Sequence, residues 1–105
     1  DRLPWVETER GKDNFTPLAT LAWQVHVYGK PRPGIAEACA ELRLPLHLFR
    51  WQPAMREAGL KNAALYLIRP DSYVALADPQ AHPERLRHYW DRAGLGRGHD
   101  ELSVP

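Results

Sequence analysis

The chain holds a single cysteine, Cys39, which excludes an internal disulfide framework and makes a reducing cytoplasm the expected compartment. Serine occurs only at Ser72 and Ser103, neither beside a histidine that could serve as its base, so hydrolase chemistry has no nucleophile. Neither sign of charge dominates: Lys+Arg 14 against Asp+Glu 13 leaves +1, which offers no electrostatic case for a nucleic-acid or membrane partner. No apolar run approaches the ~20 residues of a spanning helix, and no basic-then-apolar start resembles a signal peptide. Phosphate loops are missing too. Gly94-Leu-Gly-Arg-Gly98 has glycines, but it follows a helical pattern instead of opening one.

What the chain does contain is periodic apolar patterning in 105 residues, enough for one domain with its own core. Residues 1–22 are irregular. Leu3-Pro-Trp-Val6 reads as a short extended piece, and Asp13-Asn-Phe-Thr-Pro-Leu18 as a turn with Phe15 tucked inward. Trp23 to Tyr28 then alternates as a strand, Trp23, Val25 and Val27 on one side and Gln24, His26 and Tyr28 on the other, and Gly29 ends it. Lys30-Pro-Arg-Pro-Gly34 forces an extended loop. Ile35, Cys39 and Leu42 fall at helical spacing with alanines between them.

Leu44 to Trp51 reads as a second strand, with Leu44, Leu46 and Leu48 on one face and His47, Phe49 and Trp51 on the other. Gln52 to Leu60 makes one or two helical turns: Pro53 suits the first position, Met55 and Ala58 face inward, and Gly59 stops it. Leu65 to Leu76 is an antiparallel hairpin whose turn, Arg69-Pro70-Asp71-Ser72, has its own chemistry: Pro70 pre-sets φ, and Asp71 bonds nearby backbone. Pro83 opens a last helix, with Leu86, Tyr89, Trp90 and Ala93 inward and Gly94 as its stop. Residues 96–105 have no apolar period and read as a flexible C-terminal tail to a domain of residues 1–95.

The order is β-α-β, a short helical link, then β-β-α. A βαβ unit joined to a ββα unit around a four-stranded mixed sheet, with helices on both faces, is the α/β arrangement of thioredoxin-like domains. A ferredoxin-like fold is the main rival, and it would want a full second crossover helix where residues 53–60 are short. Redox members of the thioredoxin class carry a cysteine at the N-terminus of the first helix, where the dipole lowers the thiol pKa. Here that place is Gly29 to Gly34, and Cys39 lies a turn further on, in the apolar stripe. The same members place a proline before the third strand, and Asn62-Ala-Ala-Leu65 has none.

Five histidines invite a metal reading, but His26 and His47 on adjacent strands are two imidazoles without a third ligand, and packed or hydrogen-bonded roles beneath a helix fit them better. His82, His88 and His99 read as solvated. Of four tryptophans, Trp23 and Trp90 fit the core. Trp5 and Trp51 lie at less regular places, where core and contact surface both remain open; aromatics at such places are the candidate interface residues.

Three segments together carry a resemblance: Asp1-Arg-Leu-Pro-Trp5, Trp23-Gln-Val-His-Val-Tyr-Gly29, and Leu65-Tyr-Leu-Ile-Arg-Pro-Asp-Ser-Tyr-Val-Ala-Leu76. The chain resembles the C-terminal thioredoxin-like domain of FAD-dependent aromatic-ring hydroxylases, the class that includes phenol hydroxylase. In that family the hairpin typically reads Leu-Val-Arg-Pro-Asp-Gly, followed by an aromatic residue or His, then Val-Ala. The departure is Ser72 in place of glycine; in a positive-φ conformation a serine would be strained by ~1 kcal/mol.

The resemblance implies a division of labour. FAD, NAD(P)H and the aromatic substrate belong to an N-terminal flavin-binding portion of a cytoplasmic parent enzyme, and this domain packs on that portion or on a second subunit, as in a homodimer. It implies no catalytic, cofactor or metal residue here and no cofactor of the fragment's own. A start at Asp1 instead of Met is what a piece of a longer chain would show. Two alternatives stand beside this reading: a divergent thiol oxidoreductase using Cys39, and a free-standing interaction module using the apolar edge Leu44 to Trp51.

Overall fold

A computed structural model describes residues 2–9 and 12–94. Its elements in order are β1 (Glu7–Glu9), β2 (Lys12–Asp13), a 3-10 turn (Thr16–Thr20), β3 (Gln24–Tyr28), α1 (Ile35–Leu42), β4 (Leu46–Phe49), α2 (Pro53–Glu57), β5 (Leu65–Ile68), β6 (Val74–Asp78) and α3 (Pro83–Arg92). The main sheet has the order β4-β3-β5-β6. Strand β3 runs parallel to β4 and antiparallel to β5, and β5 runs antiparallel to β6. This is the mixed sheet expected of a thioredoxin-like domain, and the five residues of α2 leave no second long crossover for the ferredoxin-like rival.

Alternation along the strands divides the interior into two cores. On one face Val25, Val27, Leu65 and Leu67 pack with Ile35, Ala38 and Cys39 of α1 and Leu86 and Trp90 of α3. Trp23 meets Trp90 there edge to face, with ring centroids 5.4 Å apart. On the other face Tyr28, Tyr66 and Ile68 pack with Met55 of α2 and with Leu3, Val6 and Leu18 of the N-terminal segment. Helices therefore cover both faces. β3 is buried along its whole length because it is central and covered on each side.

Gly29, at φ +119, ends β3 beneath the loop before β5, where a Cβ would run into the Asn62 side chain. That position therefore needs glycine on two counts. Helix α1 stops at Arg43, in the left-handed region at φ 59, whose N–H returns to the Ala40 and Cys39 carbonyls.

Several expectations change. Glu7–Glu9 and Lys12–Asp13 form a small antiparallel pair, β1 with β2, where no clear strand is expected. Phe15 is 36% exposed instead of tucked inward. The Asp13 carboxylate accepts the Phe15 and Thr16 N–H groups, and this turn aims Asn14 and Leu18 inward, sending Phe15 outward. β4 spans only Leu46–Phe49, not Leu44 to Trp51, and Leu48 is 52% exposed because it stands on an edge strand. Ala93 lies beyond the last turn of α3 and faces solvent. The tail expected over residues 96–105, with His99 and Ser103, lies outside the described residues.

Candidate functional site

The polar residues of β3 alternate onto the second face, and with Asn14 they form a buried line of hydrogen bonds. Asn14, Gln24, His26 and Tyr28 are each 1% exposed or less. At one end the Gln24 Nε2 group donates to the Pro17 and Ala22 carbonyls, at 3.2 and 3.3 Å. Two carbonyls can only accept, so they orient the amide and turn Oε1 toward His26. That oxygen stands 2.7 Å from His26 Nε2, which therefore carries the ring proton. His26 Nδ1 is left as the acceptor and takes the Tyr28 hydroxyl proton at 2.8 Å. The Tyr28 oxygen accepts from Asn14 Nδ2 at 2.9 Å. Asn14 in turn donates to the Pro4 carbonyl and accepts the Val6 N–H.

Each member has a single role that satisfies its neighbours, so the imidazole is held neutral in one tautomer. A protonated His26 would carry a second N–H aimed at Tyr28, whose own proton would then lose its acceptor. Burial, followed by the nearby His47, pushes the His26 pKa down to about 3. His47 stands directly across on β4, with ring centroids 5.6 Å apart, and burial lowers its pKa as well. Burial also raises Tyr28, outweighing the Asn14 hydrogen bond that pulls the other way. Tyr28 stacks on Phe49 at 4.9 Å and 14°. The two histidines are thus packed and, for His26, fully hydrogen-bonded. Among the described residues no group of three metal-ligating side chains occurs.

Cys39 is 1% exposed in the first core, and burial pushes its thiol up to about 11. A reactive thiol needs the opposite shift and an open approach. Asp78 ends β6 nearly buried and organises the turn into α3. It accepts the Gln80 and His82 N–H groups at 3.0 and 2.8 Å and Arg85 Nη1 at 3.1 Å. Burial alone would raise its pKa, but these donors outweigh burial and hold the carboxyl below its usual value.

At the hairpin, Ser72 N–H bonds the Arg69 carbonyl at 2.9 Å, and Tyr73 N–H bonds Asp71 Oδ1 at 3.2 Å. Ser72 sits at φ 73, the positive-φ conformation in which the departure from glycine is strained. Its carbonyl accepts the Leu3 N–H, and Arg2 bridges to Tyr73, tying the N-terminal segment to this turn. The Arg2 and Arg69 guanidiniums each lie 5.9 Å from the Tyr73 ring centroid, within cation–π range.

Of the two candidate interface residues, Trp5 is 57% exposed, while Trp51 is half-buried against the second core. Trp5 is thus the more open of the two to a partner. Gln52, next in the chain, reaches back to bond the Thr8 carbonyl. The residues that sequence reading misses are Asn14 and Asp78. Asn14 lies in a turn-like stretch with no periodic signature and bonds residues as far apart as Pro4 and Tyr28. Only the Asp-Pro pair at 78–79, just before a helix that opens on Pro83, hints at the other.

No curated protein and no solved structure gives a match to the chain. The family model described as the aromatic-ring hydroxylase C-terminal domain matches residues 2–96, taking in the N-terminal anchor, both cores, the Arg69-Pro70-Asp71 turn and α3. The chain therefore belongs to the family of aromatic-ring hydroxylase C-terminal domains.

Proposed function

We propose that this chain is a non-catalytic packing domain of a FAD- and NAD(P)H-dependent aromatic-ring monooxygenase. In that reading it lies against the flavin-binding portion of the parent enzyme or against a second subunit, as in a homodimer, in the cytoplasm, and it helps to shield the active site. The observation that carries the reading is the contrast between interior and surface. Inside, the polar side chains of the sheet are spent on one another and on backbone groups of the same domain. Outside stand apolar side chains suited to contact: Trp5 at 57%, Leu21 at 71%, Leu48 at 52% and Tyr73 at 41% exposure.

The shifted thiol of Cys39 counts against the thiol-oxidoreductase alternative. The open edge at β4, with Leu48 exposed, favours contact of the kind an interaction module would make, and it serves a docked domain equally well. Isothermal calorimetry of the chain with FAD and with NADPH tests the assignment. The expected result is no binding of either; tight flavin binding would overturn it.

A further inference from the structure

The outer edge of β6 and the outer side of α3 bound a groove of ≈ 400 Å³, lined by Leu76, Arg85, His88, Tyr89, Arg92 and Ala93. Its floor is apolar: Leu76 and Tyr89 are partly buried and packed on the first core. The rim carries two arginines and a histidine. Arg85, His88 and Arg92 follow one another at i, i+3 and i+7, and all three are exposed. Among the described residues no carboxylate lines the groove. Asp78, which holds Arg85, is 1% exposed and already accepts three donors. Glu84 and Asp91 line a separate depression that shares Arg85 and His88 with the groove, and there Glu84 is paired with Arg87 at 2.7 Å. Two guanidiniums, one of them anchored by Asp78, thus flank an imidazole along one helical stripe beside an apolar trough.

The second wall is a strand edge. β6 is the last strand of its sheet, and the N-terminal segment pairs with the chain just ahead of it, Arg2 bridging to Tyr73 and the Leu3 N–H bonding the Ser72 carbonyl. An edge strand directs alternate N–H and C=O groups outward, ready to pair with another extended chain.

We propose that this groove docks an extended acidic segment of a protein partner, which adds to β6 as a further strand with its carboxylates on the stripe of α3. The dimensions agree. Seven residues of helix separate Arg85 from Arg92 by ~10 Å along α3. In an extended strand, side chains i and i+4 stand ~13 Å apart on one face with i+2 between them. Flexible arginine side chains span the difference. The central residue then meets Leu76, Tyr89 and Ala93, so the favoured motif is acidic, any, apolar, any, acidic. Main-chain pairing supplies the attachment, and the alternating side chains supply the selectivity.

The probe is a capped pentapeptide with glutamate at both ends, leucine at the centre and threonine between. It is titrated into the isotopically labelled chain and followed by amide chemical shifts. Saturable shifts confined to β6 and α3 are expected, with binding weakened about tenfold or more in Arg92→Glu. His88→Glu should act in the same direction, and circular dichroism checks that both variants fold. Shifts elsewhere, wild-type affinity in both variants, or equal binding of the glutamine-for-glutamate peptide would overturn the proposal. So would hexanoate moving the α3 amides while the peptide leaves the β6 amides unmoved, because the groove would then be a small-anion site.

Discussion

Acidification should unfold this domain earlier than its carboxylates alone would dictate, and His26 is the reason. In the unfolded chain its imidazole titrates at 6.5, whereas in the folded state the value is about 3. Between the two the unfolded state binds the extra proton, so the contribution is fully present above pH 6.5 and is lost as pH falls toward 3. From pH 7 to pH 5 the loss comes to about 2 kcal/mol, and by pH 4 to about 3 kcal/mol. Against a typical total of roughly 5–15 kcal/mol, either is large. Asp78 cannot account for a change in that window. Its carboxyl is held below 3.8, so its contribution is full above that value and is lost only as pH falls below it. His47 acts in the same direction as His26, from a less buried position.

The assay is urea unfolding at pH 7, 6 and 5 for the wild-type chain and for His26→Gln, which keeps a polar side chain but removes the titration. The wild type should lose about 2 kcal/mol across the series, and the variant, though less stable at pH 7, should lose much less. Parallel slopes in the two proteins, or a wild-type stability flat from pH 7 to 5, would refute the neutral-tautomer account of the network.

Three further outcomes are expected. Asn14→Ala strands the buried Val6 N–H and removes a donor to Tyr28, and should cost on the order of 3 kcal/mol in urea unfolding; a loss under 1 kcal/mol would mean that water replaces the amide. Ser72→Gly relieves the positive φ and should stabilise by about 0.5–1 kcal/mol, read as a higher melting temperature; a drop would assign the serine hydroxyl a stabilising contact. Cys39 should react with iodoacetamide at pH 7.5 far more slowly than a free thiol, and denaturant should restore the ordinary rate; fast labelling of the folded chain would contradict its burial.

The hairpin was readable because Pro70 and Asp71 act through their own backbone, so no distant residue is needed to interpret them. The same holds for α1 and for the stop at Gly94, at φ 70, where periodicity and local conformation coincide. Phe15 shows where this fails. An aromatic in a turn reads as inward, yet the Asp13 carboxylate decides which way the turn rolls. Leu48 shows another limit: alternation assigns it a face of the strand, but not whether anything covers that face at the sheet edge. The groove on α3 lies between these cases. The spacing of Arg85, His88 and Arg92 is visible in the chain, but their neighbour Leu76 comes from β6 and becomes a neighbour only through the fold.

The Asn14 side chain ties Pro4 and Val6 to Tyr28 at the centre of the sheet, and Ser72 receives Leu3 from the other side. Residues 2–9 and 12–18 thus act as a stopper pressed against the sheet. Anyone who grafts this domain onto a different enzyme, or trims it for crystallisation, has to carry that stopper along. A cut placed at the first obvious strand would take Pro17 from Gln24 and Asn14 from Tyr28, the two residues that hold His26.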